Sequence, residues 1–427
     1  MLKKHSFLEL TDSEIDRLVT RNSDDTNAIQ DTVLHIIDQV RNQGDSALIE
    51  LTRKFDKVNL NALFLDKDEI ADLATTITRD QQRALEIAFQ NIHKFHSAQL
   101  RKERTVETMP GVKCWREVRP IEKVGLYIPG GSAVLPSTLL MLGIPARIAG
   151  CREIIVCSPP QKSGKINGFV AYCLQLLKIE RVYLVGGAQA VAAMAYGTDT
   201  IPRVDKIFGP GNQFVTKAKS IIQSISNVSI DMPAGPSEVL VIADDSAQPS
   251  FVAADLLAQA EHGPDSQAVL VATSDDIIQK VNEELKKQLE ILPRAEITRM
   301  AIANSYAVLV NDLKEALQFS NRYAPEHLIL ETDEWQSLTN LILNAGSVFL
   351  GHLTPESAGD YASGTNHTLP TSGYARSYSG VSVDSFVKKI TFQHINKQGL
   401  EQLGFTVETL AELEGLHAHK NAVSIRK

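Results

Sequence analysis

Short apolar runs separated by helical stretches recur along the chain, and this alternation limits the possible folds more than any other feature. A first series contains EIIVCS, RVYLVGG and DKIFGPGN; a second contains SEVLVIAD, AVLVATS, AVLVND, HLILE and SVFLG. Helix-forming segments lie between them, Phe169 to Leu177 and an alanine-rich stretch after RVYLVGG among them. Strands and helices in alternation predict parallel sheets with helices packed on their faces, here as two α/β units. No repeat of fixed period and no low-complexity linker marks the border between the units.

The rest of the chain has a different texture. The first hundred residues read as helices joined by polar turns, beginning with a capping-box pattern in Thr11 and Glu14. A longer helix is expected from Arg79 to about Arg104, with Leu85, Phe89, Ile92 and Phe95 stepping along one face. After Pro110 come strand-like runs including VGLYIPGG, then a helical stretch near Pro136 to Ala149. The segment TPESAGDYASGTNHTLPTSGYARSYSGVSVDS, from Thr354 to Ser385, is crowded with polar residues, and long polar loops in a compact protein usually carry function. The final residues read as a polar helical tail.

Composition removes several classes of function. With 427 residues, 43% hydrophobic and 22% charged, the chain is expected to be a soluble globular protein. A net charge of -8 argues against a nucleic-acid partner, which calls for concentrated Lys and Arg. Cys114, Cys151, Cys157 and Cys173 form no CxxC pair, so reduced thiols are expected. The N-terminus lacks the pattern of a secretory signal, and the apolar stretch Leu139 to Ala146 is too short to span a bilayer. A cytoplasmic location follows as an expectation.

Several polar residues stand where chemistry is possible. In AQAEHGPDSQA, Gln259 and His262 fall three apart before a Gly-Pro helix stop, so both are expected to project from the last helical turn. That placement suits helix capping as well as ligation. The turns VGGAQA and FGPGNQ follow strands and could offer backbone amides to a phosphate, although neither completes G-x-G-x-x-G. IDMPAGPSE joins the two α/β units and displays Ser237 and Glu238 at their crossing, where clefts tend to form. In RYAPEHLIL, Glu326 and His327 are neighbours. On an extended segment they would point to opposite sides, yet both could line a cleft, and each type suits general base work. Gln259, His262, Asp360 and His419 together would make a nitrogen and oxygen set suited to zinc, while His367 and Glu414 add further polar groups.

Taken in order, VGLYIPGG, VGGAQA, FGPGNQFVTKAK, IDMPAGPSE, AQAEHGPDSQA, RYAPEHL, AGDYASGTNHTLPT and EGLHAH closely resemble the histidinol dehydrogenase family over nearly the whole chain. The resemblance implies oxidation of L-histidinol to L-histidine through a bound aldehyde, with two NAD and one zinc per subunit, in a homodimer. By matching motif, Gln259, His262 and Asp360 of one subunit would bind zinc, with His419 from the other. His417 lies two residues from His419, and the EGL spacing selects His419. NAD would lie at Tyr127, Gln189 and Asn212. Ser237, Glu414 and His327 would contact the substrate along with the zinc ligands. Glu326 and His327 would be the catalytic pair, His327 taking the alcohol proton and Glu326 activating water. His367 and His417 receive no role.

The resemblance also implies two Rossmann-like α/β domains with parallel-sheet cores, a helical N-terminal region and a small helical tail. The expected division is residues 1–25 as an N-terminal helical segment, 26–126 with 239–381 as a first α/β domain carrying zinc and catalytic residues, 127–238 as an inserted α/β domain with the NAD-binding turns, and 382–427 as a tail serving the partner's site. Two other readings remain on the residues alone. One is a zinc hydrolase in which Glu326 activates water, and the other is a non-catalytic nucleotide-binding regulator.

Overall fold

The computed structural model describes residues 1–21, 26–130, 135–233 and 235–427. Gly131 of VGLYIPGG, Ala234 of IDMPAGPSE and residues 22–25 of the expected N-terminal segment lie outside the described residues. In chain order the strands are β1 (Lys3–Ser6), β2 (Phe64–Leu65), β3 (Val106–Met109), β4 (Val112–Pro120), β5 (Lys123–Tyr127), β6 (Glu153–Cys157), β7 (Val182–Tyr183) and β8 (Lys206–Phe208). They continue as β9 (Ser229–Ile230), β10 (Glu238–Ala243), β11 (Gln267–Ala272), β12 (Tyr306–Leu309), β13 (His327–Glu331), β14 (Ser347–Leu350) and β15 (Val387–Ile395).

Two six-stranded sheets form the framework, in the orders β2-β7-β6-β5-β8-β9 and β1-β12-β11-β10-β13-β14. The second is parallel throughout, and the first is parallel except for its edge strand β2. Every residue of β10, EVLVIA, is buried. Val239, Val241 and Ala243 enter one core while Leu240 and Ile242 enter another, so helices cover both faces of that sheet. A strand covered on both sides reads as a continuous apolar run, which is why it stood out in the sequence.

The division of the chain departs from expectation. Residues 26–126 were grouped with 239–381, yet their helices pack on the other sheet. Val33, Ile37, Leu48 and Leu51 share a core with Tyr127, Tyr183 and Ile207 on one face, and Ile70, Ala74, Ala88 and Ile92 share a core with Val124, Leu126 and Val156 on the opposite face. A parallel sheet has to be covered on both faces, and these early helices complete the cover that the 127–238 segment begins.

The helix Arg79–Ser97 ends before Arg104. Leu85, Phe89 and Ile92 hold it to the core, but Phe95 is exposed, so the apolar stripe that binds the helix ends near His96. The N-terminal segment is not wholly helical either. The capping box of Thr11 and Glu14 opens the helix Asp12–Val19 as expected, but β1 pairs with β12 at a sheet edge. Likewise the tail begins as a strand, with β15 antiparallel to β4 in a sheet completed by β3, before the helices Lys397–Leu413 and His417–Ser424. All four cysteines are free thiols. Among the described residues, no helix is long and apolar enough to cross a membrane.

Candidate active site

Strands β10 and β13 lie side by side, with Val239 opposite His327. The chain enters both strands from the same rim, which brings Ser237, Glu238, Glu326 and His327 together at their amino ends. The strand order reverses here, β11 and β12 lying on one side of β10 and β13 and β14 on the other. Open α/β sheets usually bind ligands at the carboxyl ends beside such a reversal, so this cluster occupies the opposite rim.

Glu326 and His327 do not diverge as an ideal strand would require. Ala324, at φ 53, closes the preceding helix in a left-handed turn, and Glu326 lies just before β13 begins. The alternation of a strand therefore does not govern it, and its Oε2 reaches 3.7 Å from His327 Nδ1. A single backbone unit orients both groups. The Glu238 N–H donates to Glu326 Oε2 at 2.9 Å, and the Glu238 carbonyl oxygen faces His327 Nδ1 at 3.2 Å.

His327 Nε2 then points toward Asp360, whose Oδ1 is 3.4 Å away. Asp360 belongs to the helix Glu356–Tyr361, and Glu356, one turn earlier, places Oε1 3.8 Å from His327 Nδ1. Glu356 was not singled out from the sequence. The available signal was its spacing of four from Asp360, which places both carboxylates on one face of a helix opened by Pro355.

Gln259 is fully buried in the helix Pro249–Ala260. With its amide nitrogen toward Glu326, Nε2 is 3.4 Å from Oε2. The opposite amide orientation donates to Glu356 and accepts from the Glu238 N–H at 2.8 Å, so that this N–H is shared between Gln259 and Glu326, and it satisfies both ends of the amide. His262 was expected in the last helical turn but lies beyond it, since Gly263 and Pro264 end the helix early and Glu261 is its C-cap. It keeps solvent exposure, yet burial lowers its pKa, with the Asp360 carboxylate opposing the shift. His367 acts as a brace, its Nδ1 2.8 Å from the Asp360 carbonyl oxygen and its Nε2 3.2 Å from the Thr138 hydroxyl.

The electrostatics are dominated by crowded carboxylates. Burial alone would lower the His327 pKa, but Glu356, Glu326 and Asp360 outweigh it and raise the value to about 10. Burial lifts Glu326 to about 8 against the pull of His327, and lifts Glu356 to about 8 for the same reason. Asp360 moves the other way, because His327 overcomes the effect of its burial. Three buried atoms, His327 Nε2, Glu356 Oε2 and Asp360 Oδ1, have no hydrogen-bond partner. Ligand atoms of these three residues lie within 4.8 Å of one another. Buried polar atoms left unpaired this close together could hold a cation, since an unpaired buried polar group is costly and a dication satisfies several at once.

Among the described residues, Glu414 and His419 make no hydrogen bond or ion pair with this cluster. Both are exposed on the tail, whose two helices pack chiefly on each other. Ser237, half-buried, leads into β10 beside Glu238.

The expected NAD residues gather at the carboxyl rim of the other sheet. Tyr127 ends β5, Gln189 lies buried in the helix Gly187–Tyr196, and Asn212 caps the helix Gln213–Ile225 by accepting from the N–H groups of Phe214 and Val215 at 3.1 and 3.2 Å. That strand order reverses at β5, between β6 and β8, the usual place for a nucleotide. The Tyr127 hydroxyl accepts from the Gly187 N–H at 3.1 Å, and burial raises its pKa to about 12. Gly209 has φ 124, and a side chain there would run into the Tyr127 carbonyl. The two glycine turns thus lie on the face where a phosphate would meet helix N-termini.

A family model described as histidinol dehydrogenase matches residues 19–427. The chain belongs to the histidinol dehydrogenase family. Histidinol dehydrogenase from Bacteroides thetaiotaomicron is 54% identical over 409 residues, covering 96% of this chain and 95% of that protein. The chloroplastic histidinol dehydrogenase of Arabidopsis thaliana is 53% identical over 427 residues, 100% of this chain and 91% of its own length. The crystal structure of histidinol dehydrogenase from Elizabethkingia anophelis superposes with a TM-score of 0.96 at 50% identity, over 100% of this chain and 98% of that one. As a histidinol dehydrogenase, the protein is an NAD-dependent oxidoreductase of histidine biosynthesis.

Proposed function

We propose that the protein converts L-histidinol to L-histidine through bound L-histidinaldehyde, using two NAD and one zinc per subunit, as a cytoplasmic homodimer with shared sites. The observation that carries this reading is the convergence of orphaned buried atoms on His327, Glu356 and Asp360 beside the Glu326 carboxyl. Nitrogen and oxygen donors without thiolate suit zinc. Gln259, His262 and Asp360 would hold it, with His419 of the partner subunit completing the set. Bound zinc would supply positive charge that orients the imidazole and amino nitrogens of the substrate and offsets the carboxylate field around His327.

The remaining steps belong to the chain's own residues. Neutral His327 accepts the hydroxyl proton through Nε2 while hydride leaves the substrate carbon for the first NAD. Glu326 as carboxylate takes a proton from water, whose oxygen adds to the aldehyde carbon while protonated His327 returns its proton to the aldehyde oxygen, giving the hydrate and a neutral imidazole. The hydrate loses a second hydride to the second NAD, and His327 again takes the hydroxyl proton. Ser237 and Glu414 would contact the substrate, and Tyr127, Gln189 and Asn212 would hold NAD. The exposed Phe405, Leu410 and Leu413 on the tail supply the apolar surface a partner subunit would cover.

Purified protein given zinc, histidinol and NAD should form two NADH for each histidine. Absence of NADH, with hydrolytic activity in its place, would favour a zinc hydrolase instead.

A further inference from the structure

Glu238 is buried, and its backbone orients both Glu326 and His327. Among the described residues its side chain makes no hydrogen bond or ion pair with either, although its carboxyl lies within electrostatic reach of both. It is gripped from behind: Arg21 Nη2 donates to Oε2, and the Ser372 N–H donates to Oε1. Arg21 is itself fixed, with Nη1 donating to the carbonyl oxygens of Val19 at 2.7 Å and Tyr323 at 2.9 Å, and its guanidinium lying 3.6 Å from the centroid of the Tyr323 ring. Ser372 holds the other oxygen from a left-handed backbone at φ 54, a conformation a serine keeps only where surrounding contacts impose it.

We propose that Arg21 is a positioning residue for the Glu326 and His327 pair, acting through the Glu238 carboxylate. This rests on the catalytic roles given above to that pair. The guanidinium fork sets where the first residue of β10 begins, and the peptide groups of that residue set the aim of the base and of the water activator. Arg suits the task because one planar group meets the carboxylate, two carbonyls and an aromatic face at once, which an ammonium cannot do. The N-terminal segment thereby helps to set the rate without touching substrate.

The test compares Arg21→Met, Arg21→Lys, Glu238→Gln and the double variant Arg21→Met with Glu238→Gln, each as zinc-loaded full-length protein. Arg21→Met should lower kcat about 10- to 100-fold, as loss of alignment far from the reacting atoms does. KM for histidinol and NAD should stay within about threefold, since binding groups are untouched. Arg21→Lys should recover part of the lost rate. The double variant has no uncompensated buried charge and should melt closer to wild type than Arg21→Met, while kcat stays low. Wild-type kcat in Arg21→Met, or kcat that returns along with the melting temperature in the double variant, would overturn the proposal. If Arg21→Met does not fold, Glu238→Gln and the double variant decide in the same way. His327→Asn is measured alongside: full activity there sinks the catalytic assignment itself, whereas an inactive His327→Asn beside a fully active Arg21→Met sinks only the role of Arg21.

Discussion

Asp360 Oδ1 stands 3.4 Å from His327 Nε2, and neither atom has a hydrogen-bond partner. The two meet because the helix Glu356–Tyr361 delivers Glu356 and Asp360 from one face onto the amino end of β13. Asp360→Ala should therefore lose zinc and activity together while remaining folded. Metal analysis on the purified variant checks this, and full zinc occupancy would remove Asp360 from the ligand set. Glu356→Gln keeps the shape of the helix but removes one carboxylate, so zinc affinity should fall about 10- to 100-fold, the usual cost of losing a group behind the ligands.

The pH profile should carry the mark of Glu326. Its pKa is raised to about 8, chiefly by burial. A protonated carboxyl cannot take a proton from water, so oxidation of the aldehyde should slow as pH falls, and bound zinc would move this limb below 8 just as it would move His327 below 10. Glu326→Gln should abolish this limb and reduce the second oxidation about 10²- to 10⁴-fold, the range for loss of a general base. Stopped-flow assays started from histidinaldehyde report it directly, and unchanged turnover would assign water activation to another group.

Because Glu414 and His419 stand apart from their own chain's cluster, the shared-site reading predicts complementation. His262→Ala and His419→Ala dimers, each inactive, should regain activity after subunit exchange, because some heterodimer sites combine intact halves. No recovery after mass spectrometry has confirmed exchange would contradict sharing.

Thiol reagents should leave the enzyme active. Burial pushes Cys151 up to about 11 and pushes Cys157 and Cys173 higher still, so none is a thiolate at neutral pH. Iodoacetamide should modify at most Cys114, the one cysteine that is not buried. Inactivation tracking alkylation of Cys157 would show that the core around it opens during turnover.

At the nucleotide side, Gly209→Ala should raise KM for NAD about tenfold or more, because left-handed backbone and the Tyr127 carbonyl both resist a side chain. Histidinol KM should change far less. Equal shifts in both constants would point to a general loosening of the fold.

Much of this architecture is legible in the residue order. The runs that became β6, β8, β10, β11 and β13 are apolar because helices cover both their faces, and Pro136, Gly150 and the capping box of Thr11 mark helix ends by local chemistry alone. Which sheet a helix covers is a different matter. Ile70 and Ile92 advertise an apolar face, but nothing local says that the face meets Val124 rather than Val241. The site divides in the same way. Glu326 and His327 stand out as a pair, while nothing beside Glu356, a first-turn acid after a proline, or beside Arg21 sets it apart in the sequence. Their roles arise from contacts across long stretches of sequence, which no periodicity encodes.

The groups proposed above for catalysis sit at the amino rim of the sheet that contains β10 and β13, and the turn after β14 lies at the opposite rim. There His352 is braced between Glu331 at 2.6 Å and Asp333 at 3.1 Å, and Leu353 projects into solvent with 89% of its surface exposed. Fluorophores, affinity handles or whole guest domains grafted onto that turn would sit a full strand length away from the proposed catalytic pair, making it a natural anchoring point for immobilised or tethered forms of the enzyme.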